Sequence, residues 1–229
     1  MKQQLTHLQT LFLQKICFLL FAQLFVLLVV VYVVHQWFPK QLCLFTCRFW
    51  VDFLLYLLLV VGLIMVSNNT GYNLVVRYTA FFGFSVLLAY IMGLQYNRIA
   101  IATRNDKKTA TTFFKAVAIV LSVFVINLIM LPFTLKYMGF LYTLSISLSI
   151  ALVGLILWGL FVGRGLLIWV SISLFVFLGL LLTDLNRLVH QCRTPNSFQC
   201  DPLNGASLLY ADLINILQDI FILLNAGQK

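Results

Sequence analysis

Two aspartates stand where a lipid-facing chain should avoid charge. Asp184 closes one long apolar run, in Thr183-Asp184-Leu185-Asn186-Arg187, and Asp212 lies inside another, in Leu209-Tyr210-Ala211-Asp212-Leu213-Ile214-Asn215-Ile216. The chain has only six acidic residues, all of them Asp, so the placement of two here carries information. A charge at the middle of a membrane helix costs about 2.5–3.5 kcal/mol on insertion scales. Each carboxyl therefore needs a partner, a proton or a cation. If the two meet, they cannot both ionise cheaply, and the pair titrates as one unit. Holding a proton, the pair ties two helices together. Having lost it, the pair repels and offers hard oxygen ligands suited to a passing calcium ion, though not to a stable metal site.

Other polar residues accompany the pair. Asp212, Asn215 and Asp219 are spaced i, i+3, i+7, which puts them on one helical face; Tyr210 adds polarity nearby. Such a stripe should face a bundle interior or a watery cavity, as supporting or pore-lining groups. The plainer alternative leaves Asp219 near headgroups and Asp212 hydrogen-bonded without any transport role. Arg187, three residues after Asp184, can pair with it locally.

Catalytic chemistry has little to work with. There is no Glu, and His7, His35 and His190 form no metal-binding motif. No nucleophile elbow, phosphate-binding loop or dinucleotide fingerprint appears. An intramembrane aspartyl protease would also use two aspartates on helices, but Thr183 and Ala211 precede them where that class has Tyr and Gly. A seven-helix receptor fits the span count but lacks the motifs. We expect no enzyme and no cofactor.

The elements that must position these acids are membrane helices. The chain of 229 residues is 62% hydrophobic and 9% charged, against roughly 25% charged in soluble domains. Its hydropathy predicts a single transmembrane domain over 1–229 with seven spans: 16–34, 49–66, 72–94, 113–133, 139–162, 166–184 and 206–224. The first, 19 residues with one strongly polar member, Gln23, is too long for a signal-peptide core of about 7–15, and we expect it to remain uncleaved. Pro132 should kink or stop the fourth span. Gly163-Arg164-Gly165 reads as a tight turn; Gly159 and Gly163 match the small-residue spacing of close helix contacts, a spacing that a glycine-containing apolar sequence often produces by chance. Asp52 falls in a first turn, where headgroups can solvate it. Two polar loops are expected, at 97–112 and 186–204.

The net charge of +9 does not imply nucleic acid. The basic residues lie in short gaps between apolar runs, where they anchor helix ends to lipid headgroups. With seven spans, six basic residues fall on the N-terminal side and nine on the other, which leans towards an external N-terminus. Cys43 and Cys47 share the first loop and Cys192 and Cys200 the sixth, on opposite faces. At most one pair can therefore see an oxidising compartment. Neither pair has enough ligands for zinc. Asn68-Asn69-Thr70 is a glycosylation sequon almost on the membrane.

The two aspartate segments resemble those of the transmembrane Bax inhibitor motif family. That family has a Tyr-Asp-x-x-x-Ile type segment closing the sixth helix and a Leu-Tyr-Leu-Asp-x-Ile-Asn-Leu-Phe type segment in the seventh. The 28 residues between the aspartates and the near-terminal position agree as well. The close similarity covers the last 50 residues. The Phe, Leu and Val content and the divergent early helices are similar to a cytomegalovirus viroporin-like branch. The resemblance implies an all-α membrane fold with six helices around a central seventh. It also implies a pH-sensitive calcium leak across endoplasmic reticulum or Golgi membranes that lowers store calcium and opposes apoptosis. Asp184 and Asp212 would then be the sensor, and partners would be lipid, calcium and host apoptosis or store-calcium proteins. The family topology implies a cytosolic N-terminus, against the charge count, with Cys43 and Cys47 luminal and Cys192 and Cys200 reduced. Thr183 departs from the family's Tyr, and the basic residues common between the second and third helices are missing. A non-conducting viral adaptor that retains host membrane proteins is the alternative function.

Overall fold

The computed structural model describes residues 5–37, 58, 61, 62, 64, 66, 73–161, 167–192 and 200–226. Among them there is no strand. The helices are α1 (His7–Trp37), α2 (Leu74–Thr103), α3 (Asp106–Thr134), a three-residue 3-10 turn (Leu135–Tyr137), α4 (Met138–Phe161), α5 (Leu167–Gln191) and α6 (Pro202–Ala226). Among the described residues, five helical stretches are long and apolar enough to cross a membrane, Asp106–Ala151 counting as one. Their outer faces are rows of exposed apolar side chains, such as Phe18, Phe21 and Phe25 on α1 and Ile168 and Phe175 on α5. In water such rows would be a liability, whereas lipid solvates them. The last helix differs. In its most apolar window 61% of residues are buried, against 22–33% in the others.

The expected second span lies mostly outside the described residues, as do Asp52, Cys43, Cys47, the sequon, Arg193 and the 163–165 turn. The Gly159–Gly163 contact cannot be placed for the same reason.

Several boundaries move outward from the sequence expectation. α1 starts at His7, not 16, because Thr6 and Gln9 form a reciprocal cap. The Thr6 amide donates to Gln9 Oε1 at 3.0 Å and the Gln9 amide to Thr6 Oγ1 at 3.3 Å. The expected loop 97–112 shrinks to a turn. Arg104 adopts a left-handed conformation with φ 51°, and Asn105 caps α3 by accepting the Lys108 amide at 3.0 Å. Pro132 sits inside α3 two residues before its end. Its missing N–H loosens the ladder, and the chain tightens into the 3-10 turn.

The chain divides into two compact units. One comprises residues 14–111 and 201–210. Here α1 and α2 approach closely: a Cβ on Gly93 would stand 3.0 Å from the Val34 side chain, tighter than ordinary van der Waals contact, so glycine suits that approach. Gln23 Nε2 donates to Ser85 Oγ at 2.8 Å. Asn97 Nδ2 donates to the Val34 carbonyl at 3.3 Å, and its Oδ1 meets His35 Nδ1 at 2.9 Å. The other unit comprises residues 1–13, 112–200 and 211–229. There α4 packs on α5 with Leu148 against Gly179, and Phe113 meets Phe221 edge to face at 5.4 Å.

Candidate functional site

α5 does not end at Asp184. It runs seven residues further, to Gln191. The polar residues Asn186, Arg187 and His190 suggest a loop, but two of the last turns are held from outside. Thr134 Oγ1 donates to Asn186 Oδ1 at 2.7 Å, and Gln9 Nε2 donates to the Val189 carbonyl at 2.8 Å. The expected loop 186–204 is correspondingly short, and Asp184 becomes a residue within a helix rather than at its end.

On α6 the expected stripe is present. Asp212 is 7% exposed and Asp219 3%. Asn215 lies between them, half-buried, its Nδ2 donating to the Ala211 carbonyl at 2.9 Å. Asp184, half-buried on α5, is the charged neighbour that Asp212 feels, so the structure brings the two sensor candidates within electrostatic reach. Asp184 also feels the exposed Arg187. That local attraction is not a close pair: among the described residues the ion pair within 4.0 Å is Arg77 with Asp201. The decisive detail is an orphan atom. Asp212 Oδ2 is buried and accepts no hydrogen bond. A buried carboxylate oxygen without a partner is costly, several kcal/mol in a dry interior. A proton or a cation removes that cost. Among the described residues no cluster of three or more His, Cys, Asp or Glu could hold a stable metal.

Tyr210, expected beside the acids, belongs to the other unit. It is fully buried, and its hydroxyl donates to the Ser85 carbonyl at 3.4 Å.

Asp201 was hidden in the expected loop. It is the N-cap of α6: Oδ1 accepts the Leu203 amide at 3.2 Å, and Pro202 takes the first helical position, where a missing N–H costs nothing. Oδ2 accepts from Arg77 Nη2. Arg77 also donates to the Val66 carbonyl, from Nε at 3.2 Å and Nη2 at 3.0 Å. The Asp201-Pro202 dipeptide was the available signal, since it reads as a helix start.

The cysteines correct another expectation. Cys192 and Cys200 form a disulfide, not the reduced pair that the family topology implies. The lengthened α5 ends one residue before Cys192, which leaves a short loop that a disulfide can close.

Long apolar helices, with no strand among the described residues, define a multi-pass, helical membrane protein. Compared with known families, the chain matches the one described as Inhibitor of apoptosis-promoting Bax1 over residues 9–229. It belongs to that family. A search of curated proteins gave no match.

Proposed function

We propose that the protein is a pH-sensitive, calcium-permeable leak channel of intracellular membranes that lowers store calcium and opposes apoptosis. Family membership supports a channel-like role rather than an enzymatic one. The observation that carries the reading is Asp212, buried with Oδ2 unpartnered and Asp184 as its charged neighbour. Protonation lets the two carboxyls share a hydrogen bond and close the α5–α6 contact. Ionisation adds repulsion and oxygen ligands for calcium. The flux should therefore rise with pH. The high burial of α6 supports a single seven-span domain wrapped around its last helix. The chain's composition supports placing it in the viroporin-like viral branch, with lipid, calcium and host apoptosis or store-calcium proteins as partners and no nucleic acid.

The disulfide bears on orientation. It favours an oxidising compartment for the loop it closes. With seven spans this gives a luminal N-terminus, in agreement with the nine-to-six charge count and against the family topology.

The test is calcium flux from liposomes holding the purified protein, across pH, with Asp212→Asn beside the wild type. We expect the wild-type flux to rise with pH and the variant to lose that dependence. A wild type that passes no calcium at any pH removes the channel and leaves the adaptor.

A further inference from the structure

The paired-aspartate gate leaves a second buried carboxyl unused. Asp219 is less exposed than Asp212, and its Oδ2 likewise has no hydrogen-bond partner. Ser173 on α5, itself buried and in the same compact unit, is its polar neighbour. Seven residues separate Asp212 from Asp219, so the two carboxyls share a face of α6, about 10 Å apart along its axis.

A carboxyl kept for architecture uses both its oxygens, as Asp201 does with Leu203 and Arg77. Asp219 leaves Oδ2 without a partner, although burial makes an idle oxygen costly. We propose that Asp219 and Ser173 form a second cation station on the path from Asp212, taking a partly dehydrated divalent cation in transit. The proposal rests on the leak-channel reading. Carboxylate and hydroxyl are hard oxygens suited to calcium, which takes six to eight such ligands. A carboxyl and one hydroxyl leave most of those positions to water. Binding is then weak enough for release, as conduction through successive sites requires.

The full chain in liposomes tests this, with calcium as the probe ion and Asp219→Asn, Asp219→Glu and Ser173→Ala beside the wild type and Asp212→Asn. Asp219→Asn should cut the calcium flux about tenfold, a change worth about 1.4 kcal/mol, while the remaining flux keeps its pH dependence. Asp219→Glu should restore most of it, and Ser173→Ala should lower it by a smaller factor. Wild-type flux in Asp219→Asn overturns the station and leaves the gate standing. Loss of flux in Asp219→Asn with an unaltered pH response in Asp212→Asn overturns the gate and supports the station. No wild-type flux overturns both. Should Asp219→Asn not elute as a folded protein, equal flux in Ser173→Ala and wild type overturns the station.

Discussion

Two groups of polar residues are buried to a similar degree, and they are finished differently. Around Arg77, the charges are matched. The guanidinium meets a carboxylate and a backbone carbonyl, and the carboxylate also caps α6. Gln23, Ser85 and Tyr210, on three helices of the same unit, are joined by hydrogen bonds, and the buried atoms left over in that unit, Gln23 Oε1, Gln95 Oε1 and Ser207 Oγ, are all neutral. Along α6, Asp212 and Asp219 each leave a buried carboxyl oxygen idle, and the charge nearest Asp212 is another acid, Asp184. The first group leaves no charge unmatched. The second is complete only with something added. That contrast separates architecture from function more sharply than burial does.

The contrast breaks most visibly at Arg77. Arg77→Met leaves Asp201 buried without its cation, which should cost about 3–5 kcal/mol. Thermal unfolding of the purified protein in detergent should show a large loss, recovered in good part by adding Asp201→Asn, since Asn still caps a helix. A melting temperature unchanged in Arg77→Met would mean that the pair holds nothing together.

The Cys192–Cys200 disulfide comes next. It closes a short loop, so its removal by Cys192→Ser should cost roughly 2 kcal/mol, the low end of the usual range. Alkylation with a polyethylene-glycol maleimide checks the bond itself. Protein made in cells should gain mass at Cys192 and Cys200 only after reduction. Labelling without reductant would return the orientation argument to the family topology.

Smaller again is Ser85→Ala. Hydrogen bonds between membrane helices average about 0.6 kcal/mol and reach roughly 1.7. Ser85 accepts from Gln23 and donates to the Phe81 carbonyl, so a loss near the upper figure is expected in the same melting assay. No loss would mean that the Gln23–Ser85 bond is replaced by water.

The sequence revealed the acids more readily than the frame that holds them. Asp184 and Asp212 stand out because each interrupts an apolar run, and helical spacing alone puts Asp219 on the face of Asp212. The length of α5 was not legible. Asn186, Arg187 and His190 have loop-like chemistry, and what keeps them helical is Thr134 and Gln9, distant in the chain. Asp201 was overlooked for a related reason. An acid beside Pro looks like loop, and only its cation, 124 residues away, reveals the burial. The cysteine pairing depends on which side of the membrane the loop occupies, a property that hydropathy determines only through an even or odd number of spans. Local pattern thus locates the groups that do chemistry, while long-range hydrogen bonds decide where the helices carrying them stop.

The smallest stability effect is expected where the functional effect is largest. Asp212→Asn removes a carboxylate that has no cation within 4.0 Å among the described residues and supplies an amide of nearly the same shape. No counter-charge is orphaned by the change, unlike Arg77→Met, and the repulsion from Asp184 disappears. The new amide N–H can donate to the Asp184 carboxylate, so the variant should melt within about 1 kcal/mol of wild type or above it. The double variant Asp184→Asn with Asp212→Asn sharpens the point: with both charges gone it should melt no lower than either single variant. A clear loss of stability in Asp212→Asn, comparable to that of Arg77→Met, would show that its carboxylate is held by bonds that the fold needs, and the two groups would then be alike.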